Sequence, residues 1–320
     1  MSVIEVLQQR YSRTGDVRDL ERSIDLLESG IATSVESPQS RVIPINLSSA
    51  LRDRFHRTGD VRDLERAIKL LEEAAATNPP DAPERPAILA GLGSCLRDRF
   101  DRTGDMGDLE YAIKLLEEAA ATSPDKSPQT PAILSNLGGA YADLRTGDRA
   151  ANLERAIGYL QEASSLTATD APQAPAILTN LAIAHAERGD VDDAVSLLEE
   201  SLAISRHSGN RLVEGQTMAN LGVLLHERGE NAEAEAWFRR AAEAGYAEAM
   251  VNLGVLMHER GENAEAEAWF RRAAEAGYSE AMVNLGVLLR DRGETDAAEA
   301  WFRRAADAVN QPKDSTASSV

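Results

Sequence analysis

The sequence predicts an all-α solenoid of about eight helix-turn-helix repeats, and three observations carry that prediction. The last third repeats itself: Ala219 to Met250 reads ANLGVLLHERGENAEAEAWFRRAAEAGYAEAM, Val251 to Met282 reads VNLGVLMHERGENAEAEAWFRRAAEAGYSEAM, and another copy opens at Val283. The composition is rich in Ala, Leu, Glu and Arg and poor in aromatic residues, which is helical bias when summed over many windows. A repeat of this length cannot bury its apolar face alone, so copies must stack.

The repeat length changes along the chain. The string Pro-Ala-Ile-Leu begins at Pro86, Pro131 and Pro175, spacings of 45 and 44. A drifted copy runs from Val42, and Leu7 to Asp16 matches Leu51 to Asp60 as an incomplete first copy. The step from Asn180 to Asn220 is 40, and the steps to Asn252 and Asn284 are 32 each. Residues 1–212 thus read as long-period repeats with Pro-rich joints, 213–309 as short-period repeats, and 310–320 as a polar, disordered tail.

Each hairpin follows one grammar. The first helix carries apolar residues at helical spacing, as in Ile88, Leu89, Leu92 and Leu96. It ends at a glycine followed by an acid, from Gly15-Asp16 through Gly104-Asp105 and Gly147-Asp148 to Gly293-Glu294. Glycine permits the left-handed geometry that closes a helix, and the acid favours the N-terminus of the next. Pro86, Pro131 and Pro175 suit a first helical turn, where the missing N–H costs nothing. In the short repeats only Gly245-Tyr246 and Gly277-Tyr278 join one hairpin to the next, so tighter packing and less loop mobility are expected there.

Charge and motif content narrow the function classes. A formal net charge of −19 argues against nucleic acid, whose phosphates are bound by clustered Lys and Arg. The arginine pairs at 239–240, 271–272 and 303–304 sit among glutamates and read as a salt-bridged, solvated face. Cys95, the single cysteine, falls in an apolar helix stripe and reads as a core residue. No secretory h-region or membrane span is evident, and a soluble cytoplasmic protein is expected. The HERGE strings at His226 and His258 lack the second histidine a zinc helix needs; a solvated pair about 10 Å apart is expected instead. The RTGD turn occurs four times, and that repetition marks it as architecture. Trp237, Trp269 and Trp301 recur with their helices and read as packing between repeats. No nucleophile, base and orienter form a set, so no enzyme, metal or cofactor is expected.

Leu253-Gly254, Gly261, Ala266, Phe270 and Ala273, together with Leu92-Gly93, Leu137-Gly138 and Leu221-Gly222, resemble the tetratricopeptide repeat over residues 1 to 309. The C-terminal AEAWFRRAAEAGYAEAMVNLG resembles a hybrid with Sel-one-like repeats. The long repeats, with RTGDVRDLERAI, resemble arrays that accompany caspase-like CHAT protease domains in bacteria. The resemblance implies a right-handed superhelix whose concave groove binds a peptide or protein segment.

Register alignment places Asn46, Gly91, Asn136, Asn180, Asn220, Asn252 and Asn284 one residue before the leucine of each first helix. Asparagine is a mediocre helix former, and its amide suits any peptide bond. A similar ladder in the array of O-GlcNAc transferase holds extended peptide backbone. The amides equally suit hydrogen bonds to the neighbouring hairpin, and both readings stay open. The other groove candidates are Ser49, Arg52 and Asp53; Ser94, Arg97 and Asp98; Val223, His226 and Glu227; Val255, His258 and Glu259; and Val287, Arg290 and Asp291. A partner with some apolar and basic character fits them. The basic set that clamps an acidic C-terminal tail is mostly missing. Two alternatives remain. One is a sensor or regulator of a separately encoded caspase-like protease or other effector. The other is self-assembly through an uncapped apolar end at Ala305-Ala306.

Overall fold

Helical periodicity gives sixteen α-helices and no strand among the described residues, 3–14, 17–33, 42–58, 60–124, 127–208 and 211–310 of a computed structural model. The first eight are α1 (Val3–Thr14), α2 (Val17–Thr33), α3 (Ile43–Thr58), α4 (Val61–Thr77), α5 (Arg85–Thr103), α6 (Met106–Thr122), α7 (Thr130–Asp143) and α8 (Arg149–Ser165). The second eight are α9 (Ala174–Arg188), α10 (Val191–Ser208), α11 (Arg211–Glu227), α12 (Asn231–Glu243), α13 (Ala247–Glu259), α14 (Asn263–Glu275), α15 (Ser279–Asp291) and α16 (Thr295–Asn310). They pair into the eight anticipated hairpins. Two compact units result, Met1–Ala168 and Thr169–Val320, with four hairpins each. The change of repeat length after residue 212 falls inside the second unit. Asn310 is the last residue of α16; the rest of the expected tail lies outside the described residues, as do the Gly15-Asp16 turn and Gly59.

Within each unit, consecutive helices pack side by side, and successive first helices also touch. In the first unit α3 meets α5 and α5 meets α7; in the second, α9 meets α11 and α11 meets α13. Successive second helices do not meet to the same extent. The first helices therefore line the inner side of each stack.

The contact that closes each hairpin is a glycine or other small residue against a large apolar side chain. A Cβ on Gly93 would stand 2.8 Å from Leu116 Cγ, and one on Gly138 would stand 2.6 Å from Leu160 Cγ and 3.0 Å from the Ala156 carbonyl. In the short repeats the partner is aromatic: a Cβ on Gly222, Gly254 or Gly286 would stand 2.5–2.6 Å from a ring carbon of Phe238, Phe270 or Phe302. Ser48 and Ala182 take the same register in α3 and α9, and both are buried. Close helix approach at small residues is what lets the large side chains fill the space between.

The turns follow the sequence grammar with two corrections. Gly104 and Gly189 close α5 and α9 in the left-handed region, with φ of 72° and 100°. Gly147 has φ 74° but does not close α7, which stops at Asp143 with Leu144 as its cap. The acids also divide by length. Asp60, Asp105 and Asp148 accept backbone N–H bonds from Arg62, Gly107 and Ala151 and so cap the next helix. Glu230 and Glu262 make no capping bond, because capping suits the short aspartate side chain.

Two of the RTGD turns are spanned by a fork of two hydrogen bonds. Arg54 reaches Asp63 at 2.7 and 2.6 Å, and Arg99 reaches Asp108 at the same distances. The fourth copy has Leu144 and Asn152 at these registers, and the Asn152 amide donates instead to the Thr146 carbonyl at 2.9 Å.

The adjacent glycines of α7 separate packing from propensity. Gly138→Ala drives its methyl into Leu160 and backbone, at a cost of about 1–3 kcal/mol despite better helix propensity. Gly139→Ala meets only the flexible end of Arg97 and is expected to change stability by less than about 1 kcal/mol. Urea unfolding of both variants measures the difference; equal effects would show that the glycine contact does not govern hairpin closure.

Candidate functional site

The inner face of the first unit is built from polar side chains that bridge one first helix to the next. Arg52 Nε on α3 donates to Asp98 Oδ2 on α5 at 2.6 Å, and His56 Nε2 lies 3.1 Å from the same oxygen. One repeat along, Arg97 Nε on α5 donates to Asp143 Oδ2 on α7 at 2.6 Å. Gly139 leaves room for that guanidinium, since a Cβ there would stand 2.5 Å from Arg97 Nη1. The Asn136 amide donates to Ser94 Oγ at 2.9 Å, which also joins α7 to α5.

These bridges set the charge states of the face. Burial works to raise the Asp98 carboxyl, but the His56 hydrogen bond and the Arg52 charge outweigh it and hold Asp98 below the ordinary carboxylate range. Arg52 is correspondingly raised: Asp98 more than offsets the burial that opposes its charge. Asp53 and Asp101 make no side-chain hydrogen bond or ion pair among the described residues. Burial pushes the Asp53 carboxyl up, against the opposing pull of Arg52 and His56. Partial desolvation also raises the solvent-facing Asp101, helped by the like charges of Asp143 and Asp98 and opposed by Arg97.

In the second unit the inner face is more apolar. Val223 and Val255 are 37% and 36% exposed, and Val287 is half-buried. His226 and His258 are held by their own hairpins: each Nδ1 lies 2.7 Å from the Oδ1 of Asn231 or Asn263, at the start of the second helix. His226 Nε2 is also 3.4 Å from Glu259 Oε2 on α13. Both contacts are solvent-exposed, and the asparagine that follows Glu230 or Glu262 comes within reach across the turn. Arg290 lies 6.0 Å over the Phe302 ring.

The asparagine column is not uniform. Asn136 is a strut between helices. Among the described residues, Asn46, Asn252 and Asn284 make no side-chain hydrogen bond, and the Asn220 amide nitrogen is buried without a partner. Asn180 is half-buried on α9. Arg52 and Arg97 reach the inner face with Nε already committed. The pairing of residues 46 apart was not anticipated, although columns of arginine (Arg52, Arg97) and aspartate (Asp53, Asp98, Asp143) at a 45-residue period are visible in the sequence.

Away from this face, several expectations hold. Arg239 pairs with Glu235 and Glu265 at 3.0 Å, and Arg271 with Glu267 at 2.7 Å. The second arginine of each pair departs from the expected salt bridge: Arg240, Arg272 and Arg304 lie over the rings of Trp237, Trp269 and Trp301 at 5.1, 5.4 and 4.2 Å. Cys95 is buried, and burial pushes its thiol up to about 12. One further cluster was not foreseen: His185, Asp190 and Asp193 bring ligand-type atoms within 4.8 Å of one another. The Arg188 guanidinium pairs with Asp190 and lies 3.3 Å from His185 Nδ1, so a cation of the protein's own already serves that cluster.

Tetratricopeptide repeat family models match residues 53–125, 173–246, 247–276 and 279–308. The chain belongs to the tetratricopeptide repeat family. A Sel1 repeat model matches residues 134–167, which places the Sel1-type match of this tetratricopeptide array on α7 and α8, in the fourth long repeat. No curated protein matches the chain. Among solved structures, it is similar to the nearly identical TPR-like repeats assigned to a Podosopora anserina kinesin light chain. That match has 21% identity and a TM-score of 0.42, and covers 64% of this chain and 94% of that one. It is also similar to BtubC (BKLC) from P. vanneervenii, with 22% identity and a TM-score of 0.47 over 72% of this chain and 90% of that one. No helix among the described residues is long and apolar enough to cross a membrane.

Two measurements test the electrostatics of this face. In a double-mutant cycle with Arg97→Gln and Asp143→Asn, urea unfolding is expected to give a coupling of about 1 kcal/mol, typical of a partly exposed pair; strictly additive costs would contradict the bridge. Asp53→Asn is expected to stabilise the protein at pH 7. A raised folded pKa means that ionisation opposes folding, and this penalty develops as pH rises from the ordinary carboxylate value of about 3.9 through the folded value. The gain should vanish at pH 3, where Asp53 is protonated whether folded or unfolded. Equal effects at both pH values would contradict the assignment.

Proposed function

We propose that this protein is a non-enzymatic cytoplasmic interaction scaffold whose inner first-helix face binds an extended peptide or protein segment. The observation that carries this reading is the set of amides left unused by the fold: Asn46, Asn252 and Asn284 present donors and an acceptor with no side-chain partner among the described residues, and exposed Val223 and Val255 stand beside the column in α11 and α13. Peptide backbone satisfies such amides regardless of its side chains, and spaced apolar residues cover the valines. Arg52, Arg97, Asn136, His226 and His258 hold that surface in shape through their bonds to neighbouring helices. The reading is tested by selecting binders from a random peptide library on the immobilised full chain, then measuring their affinity for Asn252→Ala/Asn284→Ala. At least a tenfold loss with an unchanged helical circular dichroism signal and melting temperature supports the groove. Unchanged affinity, or unfolding of the variant, makes the column structural.

A second reading, self-association, is favoured by one observation. Ala242 and Ala274 are fully buried, and Phe238 and Phe270 are 2% and 3% exposed, whereas the equivalent Ala306 is exposed and Phe302 only half-buried. The apolar face of α16 is thus available to a further hairpin. Light scattering over a concentration series reports it: mass that grows with concentration supports stacking through this end, and a constant monomer mass removes it.

A further inference from the structure

The junctions between α3 and α5 and between α5 and α7 occupy equivalent registers, and both carry an arginine–aspartate bridge, but only the second also carries an asparagine–serine bond. Over α5 and α7, Asn136 bonds Ser94 and Arg97 bonds Asp143. Over α3 and α5, the asparagine is replaced by Gly91, so the Ser49 hydroxyl lacks the amide that Ser94 receives. Asn46, Ser49 and Asp53, at helical spacing along one face of α3, make no side-chain hydrogen bond among the described residues. The arginine column explains why Asp53 is left over. Each arginine pairs with the aspartate of the following repeat, Arg52 with Asp98 and Arg97 with Asp143. The register before Asp53 holds Gln8, so no arginine precedes it.

We propose that the inner face of α3 binds an extended segment carrying a lysine or arginine, with Asp53 as counter-ion to the basic side chain and Asn46 and Ser49 bonded to the backbone. The proposal rests on the scaffold reading and names its partner class. Asn46 to Asp53 spans about 10 Å along the helix, the length of three extended residues, so one short segment reaches all three groups. Charge sets the sign of the partner. Counting Arg52, Arg97, Asp53, Asp98, Asp101 and Asp143, the face carries two more carboxylates than guanidiniums. Among the described residues, Arg52, His56 and Asp98 are the titratable groups that act on Asp53. Asp101, one turn beyond Asp98 on α5 and also without an ion pair, offers a second site for a cation. The arrangement disfavours an acidic segment, because like charge would meet a carboxylate whose ionisation burial already opposes.

The test uses the full chain and three fluorescein-labelled octapeptides of alanine and serine that differ at two positions three apart, carrying lysine, glutamine or glutamate. In fluorescence anisotropy at low salt, the lysine peptide is expected to bind at least tenfold more tightly than the glutamate peptide. Asp53→Asn should weaken it about fivefold or more while melting temperature is kept or raised. Glu73→Gln, an equal charge change on an exposed residue of α4, should have little effect, which separates the site from general attraction to an acidic protein. Asn46→Ala/Ser49→Ala should weaken the lysine and glutamine peptides alike. If Asp53→Asn and Glu73→Gln have equal effects, or the glutamate peptide binds as well as the lysine one, the basic-segment proposal is overturned. If the glutamine peptide binds as tightly as the lysine peptide and Asn46→Ala/Ser49→Ala weakens both, the groove reading survives without it. If no peptide binds, both fall.

Discussion

Everything in this molecule depends on how closely two helices approach at one small residue. Gly93, Gly138, Gly222, Gly254 and Gly286 each leave a place that a leucine or phenylalanine of the second helix fills. That contact fixes the depth of the hairpin, and depth fixes which first-helix residues face the next hairpin. Long and short repeats reach the same approach with different side chains, Leu116 and Leu160 in one case and Phe238, Phe270 and Phe302 in the other. A larger second-helix side chain accompanies a shorter joint between hairpins.

The inner face follows from that spacing. Residues 46 apart meet because successive first helices touch, so Arg52 finds Asp98 and Arg97 finds Asp143. A ladder in which each arginine pairs one repeat ahead leaves a carboxylate unpaired where the arginines begin. Asp53 is therefore a consequence of register, held at some cost in stability because burial opposes its charge. A fold that keeps such a group unpaired gives a partner something to neutralise. Among the described residues the second unit has no equivalent ladder; its histidines turn back to Asn231 and Asn263, and its valines make the inner face apolar.

Periodicity made the hairpins legible: Asn180, Asn220, Asn252 and Asn284 mark first helices at steps the sequence displays, and Pro86, Pro131 and Pro175 sit in first turns as their chemistry requires. The Gly-acid turns were legible as turns, but not which acids cap. Asp105 and Glu230 look alike in a string and differ by one methylene in reach. Gly147 was misplaced because α7 ends early at Asp143, where the Arg54–Asp63 type of fork has given way to Leu144 and Asn152. The asparagine column was visible, but its division into a strut at Asn136 and unpartnered amides at Asn46, Asn252 and Asn284 depends on whether a serine lies within 3 Å on the helix before. The columns of arginine and aspartate were equally visible. Their pairing was not, since sequence shows the period and only three-dimensional spacing shows which repeat each side chain reaches.

The account turns on register-dependent pairing of the inner-face carboxylates, and NMR titration of the aspartate side-chain carboxyl carbons reads it most directly. Asp98 should titrate below the ordinary value of about 3.9, and Asp53 and Asp101 above it. If all three titrate together near that value, the ladder does not exist in solution, and the unpaired carboxylate that gives this face its character is not there.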